Sequence, residues 1–193
     1  LRVPLHLMRT EPADAAVAAV SGGVRSSGRA VLAGQALAEG SELETGADGD
    51  ITVRLVDGTV LRLRAGARAR IDESRRVPGT DSTRSGVRLE QGRVEVEARP
   101  ARGGQPGFRI GTPQGVLGVR GTEFRVETVD AMTRGEVLAG VVAVTGAVQS
   151  PAAEQRVPAG YGTVIDAAGR VALPSALLPA PDVAALPALH VRP

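Results

Sequence analysis

The residues able to carry chemistry are few, and their spacing argues against catalysis. Nucleophilic catalysis needs a serine or cysteine beside a histidine base, but cysteine is absent and the two histidines, His6 and His190, lie in the terminal segments. Neither a G-x-G-x-x-G motif nor a P-loop occurs. We therefore predict a protein that is not an enzyme and has no catalytic residues, cofactor or metal site.

Two groups of carboxylates leave alternatives open. Asp48-Gly49-Asp50 resembles a fragment of an oxygen-rich calcium loop, but the other ligands of an EF-hand are missing, so a β-turn is the preferred interpretation. Glycoside hydrolysis needs two facing carboxylates, whereas the acids of the strand-like segments alternate outward: Glu95, Glu97, Glu123 and Glu127. A polysaccharide-active enzyme is accordingly the remotest of the functions considered.

The charged residues favour a balanced surface over a nucleic-acid footprint. All 23 basic residues are arginine, yet 21 acids leave a net charge of only +2, and aromatic residues make up 2%. We predict no nucleic-acid partner. Six arginines, five of them sharing the outward parity of neighbouring strands, form the predicted anion-binding or partner-binding surface, with a solvated, salt-bridged face as the alternative: Arg54, Arg62, Arg64, Arg68, Arg70 and Arg120.

The elements that position these residues are predicted to be short strands. With 25 glycines and 13 prolines, turns are frequent and long helices are disfavoured. Apolar residues recur at every second position between residues 51 and 71, across turns at Asp57-Gly58 and Ala65-Gly66. The predicted fold is all-β, with short strands stacked in a solenoid-like or sandwich-like domain. Residues 87–89 and 94–96 are predicted as two short strand pieces, and residues 77–86 as an exposed loop.

The stretch from Phe108 to Glu127 organises the chain. A first strand is stopped by Thr112-Pro113, glycines at every third position predict a compact bend, and alternation then resumes with Phe124 and Val126 facing the core. Glu123 and Arg125 are predicted to be exposed. The predicted structural motif comprises Thr112, Pro113, Gly118, Gly121, Thr122 and Phe124.

This stretch resembles the signature of the FecR domain, an extracytoplasmic all-β domain of bacteria. The resemblance extends to segments on both sides, beginning at Leu43, Val87, Val142 and Val157, and covers roughly residues 15–171. It implies a periplasmic or extracytoplasmic location and an all-β, solenoid-like fold. We predict an incoming linker at residues 1–13, a FecR-like domain at 14–172 and an outgoing linker rich in proline, alanine and leucine at 173–193.

Three function classes follow. The first is a noncatalytic interaction or scaffold module of a cell-envelope protein, because both ends of the chain resemble junctions in proteins that join a peptidoglycan-binding LysM module to a FecR domain. The second is the periplasmic sensor domain of an anti-sigma regulator, and the remote third is the polysaccharide-active enzyme. The predicted partner is another protein or an anionic cell-wall polymer. No apolar run is long enough to span a bilayer, and the chain starts at Leu1 without a signal peptide, so we expect a fragment or mature piece.

Overall fold

The computed structural model describes residues 9–100, 107–119, 121–148 and 154–177. Every regular element within these ranges is a strand, which confirms the predicted all-β fold. The first nine are β1 Glu11–Pro12, β2 Ala15–Ser21, β3 Val24–Ser26, β4 Arg29–Ala30, β5 Ala36–Leu37, β6 Glu42–Thr45, β7 Asp50–Arg54, β8 Val60–Leu63 and β9 Arg68–Arg76. The others are β10 Thr83–Glu97, β11 Arg109–Gly111, β12 Gly115–Val119, β13 Glu123–Val129, β14 Met132–Ala139, β15 Val141–Gly146, β16 Gln155–Pro158, β17 Tyr161–Ile165 and β18 Ser175–Ala176.

The strands form two open sheets. Sheet A runs in the order β4, β3, β6, β9, β10, β11, β12, β15 and β16, with β1 also paired to β9. Sheet B runs in the order β5, β2, β7, β8, β10, β13, β14, β17 and β18. The pairing of β10 with β11 is parallel, and the other pairings are antiparallel.

Strand β10 belongs to both sheets. Its first part, up to Gln91, pairs with β9, whereas its second part, from Gly92, pairs with β13. The crossing lies at Gly92, where only glycine fits well. Its φ is +84°, and an added Cβ would lie 2.6 Å from the Cα of Ala67. Two predictions for this region were wrong: residues 83–86 of the predicted loop belong to a strand, and segments 87–89 and 94–96 are parts of one continuous strand.

The inner faces of the sheets pack against each other to form one core. A Cβ added to Gly135 of sheet B would lie 3.0 Å from Leu117 of sheet A, so the layers are in close contact there. The period-two apolar residues between residues 51 and 71 are buried, as predicted: Ile51, Val53, Leu55, Thr59, Leu61, Leu63, Ala67, Ala69 and Ile71. The core is mainly aliphatic, with Phe108 and Phe124 as its aromatic members, and the arrangement is a sandwich.

The predicted compact bend after Pro113 was wrong, because residues 115–119 form strand β12. The turn is confined to residues 112–114. Gly115 is required by crowding and not by a left-handed backbone, since an added Cβ would lie 2.4 Å from the carbonyl oxygen of Thr145. Gly121, in contrast, has a φ of +71° and does form a turn, between β12 and β13.

Candidate interaction surface

The motif residues around Thr112 form a buried hydroxyl cluster that joins the two sheets. The hydroxyl of Thr112 closes its turn against the backbone of Gly115 at 3.1 Å. Thr133, from β14 of sheet B, places its hydroxyl oxygen 2.9 Å from that of Thr112 and 2.8 Å from the side-chain oxygen of Gln114. Pro113 caps the turn on the solvent side. This part of the motif fixes sheet A to sheet B.

The second half of the motif lies in the core and on the surface. Phe124 is 1% exposed and Val126 is fully buried, while Glu123 is exposed and Arg125 half-exposed, so the predicted alternation is confirmed. The hydroxyl of Thr122 donates to the carbonyl of Val141 at 3.1 Å. Gly118 lies on the outer face of sheet A.

The structure separates the predicted arginines into two groups. Arg54 and Arg62 project from the outer face of sheet B, and Arg64 follows directly after β8, whereas Arg68 and Arg70 project from the outer face of sheet A. Arg120 lies outside the described residues. Anion binding by these arginines stays a prediction, and any such binding would involve two opposite faces.

Acidic residues pair with most of these arginines. Arg62 and Arg64 each approach the Asp50 carboxylate to 2.9 Å. On sheet A, the nearest acids are Glu44 at 3.1 Å from Arg68 and Asp72 at 2.8 Å from Arg70. These pairs are largely exposed to solvent, so each contributes little to stability.

The pairs continue as a row of alternating charge across sheet B. Adjacent strands place four side chains directly side by side: Arg62, Glu95, Arg125 and Glu136. Arg125 approaches Glu136 to 3.9 Å, and Glu95 is also 3.4 Å from Arg64. We call this row the charged ladder. Cross-strand pairs of opposite charge stabilise a sheet weakly and keep its outer face hydrated.

Asp50 is the acid most strongly engaged at this edge of the ladder. Burial of its carboxyl opposes ionisation, but the hydrogen bonds and positive charges of Arg62 and Arg64 outweigh that effect and hold the pKa of Asp50 below its ordinary value. Asp48 accepts a hydrogen bond from the backbone N–H of Gly23 at 3.1 Å. Both acids of the calcium-like fragment therefore have protein partners, and the part of the chain that the structure describes holds no group of three potential metal ligands.

A different outer face, which the sequence analysis missed, lies on sheet A across β12 and β15. Val116 is 44% exposed and Val141 48% exposed, and Gly118 and Ala143 lie between them on the same face. The outward positions of these two strands carry no charged residue. That lack of charge at alternate positions was the available signal, but the glycines were interpreted as a bend.

Comparison with solved structures supports the fold. Two crystal structures of a candidate anti-sigma factor from Parabacteroides distasonis ATCC 8503, at 2.50 Å and 1.65 Å resolution, match with TM-scores of 0.54 and 0.55. Each is 24% identical in sequence to this chain, and the match covers 70% of this chain. The chain spans 59% of each of those chains. No curated protein matches the sequence significantly.

Within the described ranges there is no helix long and apolar enough to cross a membrane.

Family comparison gives the identity of the domain. The model of the FecR protein family matches residues 41–143, which is more than half of the chain. The matched region runs from β6 to β15 and includes the crossing strand β10 and the whole Thr112 motif. The chain therefore belongs to the FecR protein family.

Proposed function

We propose that this chain is the extracytoplasmic sensor domain of an anti-sigma regulator and that it acts through contact with another protein. The observation that carries the proposal is the FecR family match over residues 41–143. The fold shared with a candidate anti-sigma factor supports it, and favours this role over that of a wall scaffold. In this role the domain lies in the periplasm and relays a signal without chemistry.

A noncatalytic role is consistent with how the acids are used. The outward carboxylates once considered for glycoside hydrolysis lie in strands of the charged ladder, where Glu95 contacts Arg64 and Glu127 lies 3.8 Å from Arg134. Hydrolysis needs two carboxylates facing one cleft with separate roles. Glu95 and Glu127, which are paired with arginines, therefore fit a folded surface better than catalytic groups, whereas Glu97 and Glu123 lie opposite each other on β10 and β13.

Deleting residues 14–172 in frame from the native gene tests the proposal. These are the predicted domain boundaries; β1 and β18 add short strands just outside them. We expect altered transcription of a defined set of sigma-dependent genes on envelope stimulation, measured by RNA sequencing. A full-length Thr52→Ala variant is the control for a neutral surface change. Unchanged transcription in the deletion strain would contradict the sensor role.

The wall scaffold remains a second proposal, with an anionic wall polymer as its ligand. Guanidinium groups match carboxylate and phosphate geometry, and screening would make such binding salt-sensitive. Replacing Arg62, Arg64 and Arg68 with serine should then reduce retention on anionic wall material. Undiminished retention of the folded triple variant would refute binding through these arginines.

A further inference from the structure

The uncharged face of sheet A contains a trough with an arginine on each side. Four residues lie in one row across adjacent strands β11, β12, β15 and β16: Arg109, Gly118, Ala143 and Arg156. Because neighbouring strands are about 4.8 Å apart, the two arginines are separated by about 14 Å at the backbone. The space between them has a volume of about 950 Å³.

The floor of the trough is small and apolar. Gly118 and Ala143 form its centre, and Val141 and Pro158 extend it along the strands. A Cβ added to Gly118 would meet only the carbonyl oxygen of Ala143, at 4.0 Å, so the space above the floor is open among the described residues. Such a floor offers dispersion contacts and no hydrogen-bonding side chain.

Each side of the trough presents a guanidinium with donors to spare. Arg109 is 57% exposed and lies 3.0 Å from Glu73, and Arg156 is 81% exposed and lies 3.9 Å from Glu154. A guanidinium carries five N–H donors, and one carboxylate uses at most two of them. Both arginines therefore have N–H donors left for a further acidic group; Arg109, which reaches across β10 to Glu73, would turn toward Gly118 to bind one in the trough.

The dimensions and the chemistry select the kind of ligand. An α-helix with its side chains is about 10–12 Å across, which fits a trough about 14 Å wide. A sugar would favour an aromatic platform and polar side chains, and the lining of this trough carries neither on its floor. Acids on both flanks of a helix would meet the two arginines while its apolar face covered the floor.

We propose that this trough binds an amphipathic helix of a partner protein, with small apolar residues facing Gly118 and Ala143 and an acidic residue on each flank facing Arg109 and Arg156. Successive helical residues are about 100° apart, so acids at positions i and i+2 flank a small residue at i+1 that faces the floor. The site needs no assumption about signalling and goes beyond the proposed function.

A display library of helix-forming peptides, with the apolar face and both flanks randomised, tests the proposal on the purified chain. We expect enrichment of helices with a small residue between two acids. Their affinity should fall at least about tenfold with Arg109→Glu plus Arg156→Glu, because two charge pairs become repulsive. Gly118→Leu, which fills the floor, should abolish binding.

Matched controls lie on the opposite face. Thr52→Leu places the same leucine side chain on the outer face of sheet B, and Arg62→Glu plus Arg125→Glu makes the same charge change on the charged ladder. Both variants should leave peptide binding within about twofold. Three results would overturn the proposal: no enriched peptide, enriched peptides without acids, or binding that survives Gly118→Leu. Binding of anionic oligogalacturonate that is lost in Gly118→Leu would instead assign the trough to a polysaccharide.

Discussion

The outer face of sheet B and the β11–β16 end of sheet A have the same strand spacing but differ in the side chains that they expose. On sheet B, the row from Arg62 to Glu136 alternates in charge. On sheet A, the equivalent row places Gly118 and Ala143 between its two arginines. Both faces cover one shared core, so the core does not dictate the difference.

The contrast supports the proposal that a partner covers the trough face. A flat, uncharged sheet face invites association, and proteins commonly prevent this with charged side chains. The charged ladder supplies that protection on sheet B. The trough face lacks it, which is the pattern expected of a surface that is covered when the protein functions.

The largest expected effect comes from the core that both faces share. Phe124 lies against Leu117 and Val142 of sheet A, below the charged ladder. Phe124→Ala should lower the free energy of unfolding by about 3–5 kcal/mol, because it leaves a cavity between the sheets. Chemical denaturation measures the change. Tyr161→Ala, which truncates a partly exposed aromatic residue, is the control, and an equal loss in both variants would contradict the assignment of Phe124 as a core anchor.

A smaller effect is expected where β10 crosses between the sheets. Gly92→Ala should destabilise the domain by about 2–4 kcal/mol, since it combines a left-handed φ with a clash against Ala67. Gly66→Ala has a similar φ of +69° but open space, so it should cost only about 1 kcal/mol. Equal costs in thermal or denaturant unfolding would remove the crowding argument for the crossing.

The charged face of sheet B should contribute stability that depends on pH. The folded-state pKa of Asp50 is lowered, so its contribution is present above the ordinary aspartate pKa of about 3.9 and is lost as pH falls through the folded value. Asp50→Asn should cost about 1 kcal/mol or less at pH 7, and its difference from the wild type should shrink below about pH 4. Thermal melts against pH measure this, with Asp81→Asn in the turn before β10 as the control. A constant difference at all pH values would contradict the assignment.

The smallest change in stability should come from placing a charged side chain on the uncharged outer face of β12 and β15. Val116→Glu replaces a side chain that is 44% exposed, so the free energy of unfolding should change by no more than about 0.5 kcal/mol. Self-association at high concentration, measured by sedimentation, should decrease because the face gains charge. Thr52→Glu on sheet B is the matched control. Identical sedimentation of the wild type, Val116→Glu and Thr52→Glu would mean that the uncharged face of β12 and β15 does not promote self-association.

The strands of the domain could be predicted wherever polar and apolar residues alternate. Ile51 to Ile71 and the segment around Phe124 were predicted correctly because each has one buried face. Gly92 was not recognised, because the sequence shows a turn-forming residue but not that β10 continues through it into a second sheet. Gly115 was misinterpreted for a related reason: a glycine required by close packing has the same appearance as one required by a bend.

The candidate surfaces were harder to predict than the strands. Parity correctly places the arginines outward, but it cannot tell that Arg62 and Arg68 lie on different sheets, since this depends on non-local pairing. The trough depends on four neighbouring strands, β11, β12, β15 and β16. Strands β12 and β15 pair with each other although β13 and β14 lie between them in the sequence. Arg109 and Arg156 are 47 residues apart in the chain, and only the pairing of these strands places them on opposite sides of one trough.

The crossing of β10 also gives the domain a mechanical property. The first described strand, β1, joins sheet A through β9, and the last, β18, joins sheet B through β17. Tension applied between these two strands would pass from β9 into β10, along its backbone past Gly92, and out through β13, β14 and β17. The covalent backbone of β10 is thus one direct link between the two hydrogen-bonded layers, because this strand pairs in both of them. A pull on the two ends would strain both sheets together.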